Sequence, residues 1–236
     1  MSLPRQSFLS LLHCLLVFIA TVVANTEKII FSAPDAIELP QYGPSLAQLR
    51  IDTLSPASPQ LRLFSPVIFA NTSHPKGLSS WYILQNLNAG GRYEVRVCWP
   101  ATQPTTWDLE VYTLSEAFDT PALIQDLARF ANEHAHLQDS PDYAEQDAFI
   151  QSPQSLLFLR TWAAADYFTL KKEMMRSPPV VHIDLILDPY LLNAVPRSLL
   201  ATAGYILCVA LVGWTVSSRV WTWLETRTIV SKTHVD

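Results

Sequence analysis

The chain has 236 residues, 49% of them hydrophobic and only 16% charged, with a formal net charge of −5. Mean hydropathy is slightly positive at +0.16, which is unusual for a soluble domain and points to membrane segments. No long charged or Gln/Ser-rich tract marks a disordered region.

Residues 1–24 predict a signal peptide. Arg5 supplies the positive start. Residues 8–23 form the apolar stretch, broken only by Ser10, His13 and Thr21. Val22 and Ala24 fit the small-residue pattern before a cleavage site, which makes Asn25 the mature N-terminus. The alternative is an uncleaved signal anchor. Polar Asn25, Thr26, Glu27 and Lys28 directly after the stretch favour cleavage.

Residues 25–197 follow as the luminal part, long enough for one well-buried domain or two small ones. Residues 28–32 and 62–70 predict strands, the second interrupted by Pro66, and residues 80–87 a third. Residues 92–99 alternate, with Tyr93, Val95 and Val97 opposite Arg92, Glu94 and Arg96. Residues 106–114 alternate too, with Trp107, Leu109 and Val111 opposite Asp108, Glu110 and Tyr112. A period of two over short runs separated by turns predicts half-buried antiparallel strands of a β-sandwich.

Between two of these runs lies Leu87-Asn88-Ala89-Gly90-Gly91-Arg92-Tyr93. Its spacing resembles the tyrosine corner of fibronectin type III and immunoglobulin-like sandwiches. There a glycine turn permits positive φ and the tyrosine hydroxyl bonds back to the corner backbone. Tyr93 is the expected corner residue. Asn71-Thr72-Ser73 is a glycosylation sequon in a turn-rich stretch with Pro75 and Gly77.

The chain holds three Cys. Cys14 lies in the signal peptide and Cys208 in the C-terminal apolar run, which leaves Cys98 alone in the luminal part. The fold must therefore rest on its apolar core rather than on a disulfide framework. Cys98 fits a small buried hydrophobe better than a reactive thiol.

Residues 121–137 carry Leu123, Leu127, Phe130 and Ala131 at helical spacing, after Asp119 and Thr120 as possible caps. From Asp108 to Asp147 ten acids face one base, Arg129. Two readings fit that stretch: a solvated insert between strands, and a docking face for a basic partner. Residues 154–161 and 180–187 predict the last strands, with Pro189 and Pro196 ending the second. The luminal part holds 12 basic and 19 acidic residues, a net −7, which argues against nucleic acid and anionic lipid surfaces as partners.

Residues 198–218 are 21 uncharged residues between Arg197 and Arg219, the length that crosses a bilayer. Tyr205, Trp214, Trp221 and Trp223 fit interfacial belts. Arg219, Arg227 and Lys232 place residues 219–236 in the cytosol by the positive-inside rule, agreeing with the signal peptide. A GPI-attachment signal is the competitor, and the 18 polar-rich residues after the apolar run fit it poorly. Gly204 and Gly213, with Ala201, Ala203 and Ala210, allow close approach of another helix; simple anchoring is the alternative.

No catalytic constellation emerges. The chain lacks a Gly-rich phosphate loop, H-E-x-x-H, C-x-x-C and G-x-S-x-G. His134 and His136 with Asp139 fit a solvated loop better than a metal site, since i and i+2 on a helix face apart. His182 and Asp184 share a strand face but have no nucleophile beside them.

The signal peptide, the first mature strand Asn25-Thr26-Glu27-Lys28-Ile29-Ile30-Phe31, the segment from Gly90 to Trp99 and the single C-terminal span together resemble a fungal family. This is the co-activator subunit of GPI mannosyltransferase II. The resemblance implies a non-catalytic accessory subunit in the endoplasmic reticulum membrane, single-pass and type I. It implies a separate multi-span catalytic subunit that adds the second mannose to the GPI precursor, and it brings no cofactor and no catalytic residue. Trp81, Tyr82 and Trp99 are candidate aromatic anchors for that partner, with core positions as their alternative. The competing readings are an Ig-like receptor or adhesion protein of the secretory pathway, and an enzyme.

Overall fold

The computed structural model describes residues 25–37, 46–135 and 153–232. The predicted signal peptide and the acidic residues from Asp139 to Asp147 lie outside them, as does His136. The described elements are β1 (Thr26–Ser32), a 3-10 turn (Leu46–Leu49), β2 (Thr53–Leu54), β3 (Gln60–Ser65), β4 (Leu78–Leu87), β5 (Arg92–Cys98), β6 (Thr105–Tyr112), α1 (Leu114–Asp119), α2 (Pro121–Ala135), β7 (Ser155–Ala165), α3 (Lys172–Arg176), β8 (Val181–Leu191), β9 (Val195–Pro196) and α4 (Leu199–Lys232).

The strands form two facing sheets. One runs β1-β5-β8-β3, all antiparallel, with β9 added to β8; the other runs β2-β4-β7-β6, antiparallel except that β2 joins β4 in parallel. The sandwich expected from the alternating runs is therefore present. Its core holds Tyr82, Leu84, Tyr93, Val95, Val97, Leu109, Leu157, Leu159, Ile183, Leu185 and Leu187, drawn from both sheets. Each fully buried aliphatic or aromatic side chain of this kind contributes about 1.5–3 kcal/mol relative to exposure.

The difference between strand patterns has a structural cause. β8 reads Val-His-Ile-Asp-Leu-Ile-Leu-Asp and alternates, because no helix among the described residues covers its outer face. β4 and β7 instead contain the unbroken runs Trp81-Tyr82-Ile83-Leu84 and Leu156-Leu157-Phe158-Leu159, all buried. Trp81, Ile83 and Phe158 face away from the main core and join Ala117, Leu123 and Leu127 of the two helices in a second cluster. The segment 114–135 is thus a packed cover over one sheet on its apolar side, while Glu116, Asp119 and Glu133 stay exposed; the rest of the acidic stretch, to Asp147, lies outside the described residues. The first helix of the cover, α1, was not legible as a separate element. Thr113 caps it through a reciprocal box with Glu116: the Glu116 N–H donates to Thr113 Oγ1 at 3.2 Å, and the Thr113 N–H donates to a Glu116 carboxylate oxygen at 2.8 Å.

The expected tyrosine corner is present. The Asn88 N–H donates to the Tyr93 hydroxyl at 2.9 Å, Gly90 has φ +69°, and Tyr93 is 1% exposed. The corner carries the chain from β4 in one sheet to β5 in the other. The Phe31 ring stacks on Tyr93 at 5.9 Å. A second glycine is required by contact: Gly77, at φ +88°, lies so close to the Ala163 backbone that a Cβ would overlap its carbonyl. β4 carries a bulge between Leu84 and Leu87, where Asn86 takes φ +55°, a conformation that asparagine tolerates better than most residues.

Pro189 does not end the last long strand, as the sequence suggested. β8 continues to Leu191, with Pro189 opposite Tyr93 and its carbonyl accepting from the Arg197 N–H at 3.0 Å. Proline is tolerated there because β5 is running out and that nitrogen is not needed by the ladder. α4 also exceeds the expected span. At about 1.5 Å per residue its 34 residues reach roughly 51 Å, and the stretch long and apolar enough to cross a membrane is Leu199–Thr226. About 30 Å of helix separates Leu199 from Arg219, so the helix continues past the first charge.

Replacing Tyr93→Phe removes the acceptor of a half-buried N–H while keeping the ring. The expected loss is about 1–3 kcal/mol, read from chemical unfolding of the full chain in detergent. An unchanged midpoint would show that the corner bond is dispensable.

Candidate interaction surfaces

Two polar networks stand out among the described residues, one on the outer face of each sheet. The first fastens the helical cover. Asp126 lies on the inward side of α2 and is 8% exposed. Its carboxylate accepts from Ser79 Oγ at 3.0 Å and from Trp81 Nε1 at 3.0 Å, and it pairs with Arg160 at 2.7 Å and with Arg129. Trp81 is thus fully buried yet has its indole N–H satisfied, as a buried tryptophan requires. The Arg160 guanidinium lies over the rings of Trp81 and Trp162, at 5.3 and 4.3 Å. Lys76 covers the other side of this row, over Trp162 at 4.5 Å, and pairs with Asp108 at 2.6 Å and Glu110 at 3.1 Å.

These contacts set the local titration. Hydrogen bonds to Asp108 and Glu110 raise the Lys76 ammonium above its ordinary value. Burial works to raise Glu110, but bonds from Tyr112 and Lys76 outweigh it and hold Glu110 below the usual carboxylate range. Burial, with the Glu110 carboxylate beside it, pushes the Tyr112 phenol up to about 12. The charges of this face are consumed by one another, an arrangement suited to holding a helix on a sheet.

The second network joins the sandwich to α4. Glu94 and Asp188 are paired across β5 and β8 and are 3% and 5% exposed. Glu94 accepts from Lys28 and from the Tyr190 hydroxyl, both at 3.2 Å. Arg96 sits between the two carboxylates, 3.3 Å from Glu94 and 3.4 Å from Asp188. Asp188 then accepts the Ser198 N–H at 3.2 Å, and Arg96 donates to Ser198 Oγ at 3.3 Å. A buried carboxylate therefore meets the backbone N–H at the start of α4, where negative charge is favoured.

The residues singled out from the sequence are dispersed. Trp81 and Tyr82 are 0% and 4% exposed; both are core, which corrects their reading as partner anchors, since neither ring has surface left to give. Trp99 is half-buried and packs on Trp107 at 6.0 Å. Both indole N–H groups are buried without a hydrogen-bond partner among the described residues. Gly204 and Gly213 lie on exposed α4, and a Cβ at either would meet nothing within 4 Å. Nine residues at about 100° each set them on opposite sides of the helix, so they open two flanks rather than one. Asn71 is exposed, and its Oδ1 accepts from the Ser73 and His74 N–H groups, both at 2.9 Å.

The other sequence candidates do not converge. His134 stacks on Phe130, with its ring 3.9 Å away, and bonds the Phe130 carbonyl. Asp184 pairs with Arg62, whose hydrogen bond lowers its pKa, while His182 packs against Phe64. Among the described residues no group of three His, Cys, Asp or Glu is placed to hold a metal.

Sequence reasoning missed Asp126, Arg160 and Asp188. Asp126 did leave a signal: it falls between Leu123 and Leu127 on the apolar stripe of α2, where a carboxylate demands a buried cation.

The fold and these networks define a β-sandwich with a helical cover, joined without a slack linker to one helix long and apolar enough to cross a membrane. The family model described as GPI-Mannosyltransferase II co-activator, Pga1, matches residues 15–153, and the chain belongs to that family. The match runs from before β1 to just short of β7. No curated protein matches the chain, and no solved structure matches it.

Substituting Asp126→Ala strands Arg160 beside two indoles and leaves the Trp81 N–H unpaired. A loss of about 3–5 kcal/mol is expected, against under about 1 kcal/mol for Asp184→Ala, whose partner Arg62 is exposed. Unfolding of the full chain in detergent compares the two; equal losses would show that Asp126 does not fasten the cover.

Proposed function

We propose that this protein is a non-catalytic accessory subunit of GPI mannosyltransferase II, acting where the second mannose is added to the GPI precursor in the endoplasmic reticulum. The observation that carries this reading is the family match over residues 15–153. The catalytic subunit is a separate multi-span membrane protein. In this reading residues 1–24 are removed as a signal peptide, 25–197 lie in the lumen, 198–218 cross the bilayer and 219–236 face the cytosol.

The physical character of the outer faces supports an accessory role. The titratable groups of the two networks are tied to one another, and their evident work is to hold the cover and the helix in place. Co-activation then consists of binding and positioning a partner. Gly204 and Gly213 are the proposed sites of close helix approach, on two different flanks of α4. Half-buried Trp99 is the remaining aromatic candidate for luminal contact.

Luminal orientation fits the position of the sequon. The turn with Asn71 lies beyond Ser65 and before Gly77, at the end of the sandwich near Val181 and Ala163. α4 joins at the opposite end, near Pro189. The 11 residues of β8 span roughly 35 Å, so a glycan at Asn71 would stand clear of the bilayer.

Two measurements test this reading. Cells depleted of the protein and labelled with radioactive mannose are expected to accumulate the one-mannose GPI precursor; a normal lipid profile would overturn the role. The mature protein is expected to carry an endoglycosidase-sensitive glycan that Asn71→Gln abolishes. A glycan that has become resistant would instead favour a protein of the cell surface, the receptor or adhesion reading.

A further inference from the structure

The turn between β8 and β9 displays apolar residues that folding does not explain. Leu192 is 100% exposed and sits at φ +51°, a left-handed conformation that glycine or asparagine adopts more easily. Leu191 and Val195, paired across the turn, are 40% and 42% exposed. The turn is nevertheless rigid in its attachment. Asn193 Oδ1 accepts the Arg92 N–H at 2.9 Å, and its amide donates to the Gly90 carbonyl at 3.2 Å, pinning the turn to the tyrosine corner.

Its surroundings carry a membrane-interface signature. Arg92 and Arg197 are exposed on either side, and the Arg92 guanidinium lies over the Tyr190 ring at 5.1 Å. Aliphatic tips flanked by arginine and tyrosine match the preferences of the headgroup boundary. The overall negative charge of the domain does not apply locally: Glu94 and Asp188 are buried and paired, and exposed Asp35, two residues after the Ala33 that bonds Gly90 and Gly91, stands against both Arg92 and Arg197.

Chain geometry brings the bilayer to this turn. α4 enters at Leu199, only four residues after Val195, a reach of at most about 14 Å. The intervening residues are not slack: Arg197 bonds Pro189, and Ser198 bonds Asp188 and Arg96. A helix fastened this closely cannot hold the sandwich away from the surface it crosses.

We infer that the β8–β9 turn is a second membrane contact. Leu191, Leu192 and Val195 seat in the lipid interface beside α4 while Arg92 and Arg197 meet the headgroup phosphates. With α4 this gives two fixed points and sets the tilt of the sandwich on the bilayer. The inference requires only that α4 spans a membrane and is independent of the mannosyltransferase reading.

The test places an environment-sensitive fluorescent amino acid at position 192 of the full chain in phosphatidylcholine nanodiscs. Position 168, at the opposite end of the sandwich and 82% exposed as Phe168, serves as the reference. At 192 the emission is expected to shift to the blue, and a headgroup-level nitroxide lipid is expected to quench it severalfold more than at 168, with aqueous iodide quenching in the reverse order. A second probe at Ala194 covers the case in which the first disturbs the turn. Iodide quenching at 192 and 194 as strong as at 168, without nitroxide quenching, would overturn the proposal.

Discussion

Along Trp81–Tyr82–Ile83–Leu84 and Leu156–Leu157–Phe158–Leu159, the paired strands β4 and β7 have no solvent face. A strand pair of this kind needs two covers, and the rest of the chain supplies them. The sheet β1-β5-β8-β3 closes one side with Val95, Val97, Leu185 and Leu187. The helices α1 and α2 close the other with Ala117, Leu123 and Leu127. The second cover is small and must be located exactly over Trp81, which is where Asp126 enters. A buried carboxylate shared by an indole N–H, a serine and two arginines is a directional clamp, whereas apolar packing alone would let a short helix slide.

The two outer faces divide the labour of the molecule. The β4–β7 side is occupied by its own helices and by the Lys76–Trp162–Arg160 row. Among the described residues the β5–β8 side has no helix over it, and its buried pair Glu94 and Asp188 is roofed by Lys28, Arg96, Tyr190 and the chain entering α4. Attachment of α4 is thereby built into the sheet. For a protein whose family is described by co-activation of GPI mannosyltransferase II, such a joint has a clear use. With α4 across a membrane, as proposed, it would present one end of the sandwich to the bilayer and hold the other, with Asn71 and the exposed Phe168 and Leu170, about a strand length away.

Much of this architecture is legible in one dimension. Alternation over residues 92–99 and 106–114 announced strands with one wet face, and Leu87-x-x-Gly-x-x-Tyr announced the corner that Tyr93 makes with Asn88. The uncharged run after Arg197 announced the long helix. These features rest on local periodicity or on contacts between near neighbours. The anchors proposed at Trp81 and Tyr82 failed for a different reason. An unbroken run such as Trp81 to Leu84 says that both faces are apolar but does not name what lies over each.

The sequence by itself determined the strand pattern, the tyrosine corner and the apolar helix, because each is written in spacing within a few tens of residues; the family entered as a resemblance of the whole plan and rests on the match over residues 15–153. Only the tertiary structure decided that Trp81 is core, that Asp126 meets Arg160 and that Asp188 holds Ser198 at the start of α4. Those pairs are brought together by sheet register and by the cover packing on β4, and the energy of a buried charge depends on its partner's distance in space, which spacing along the chain does not encode.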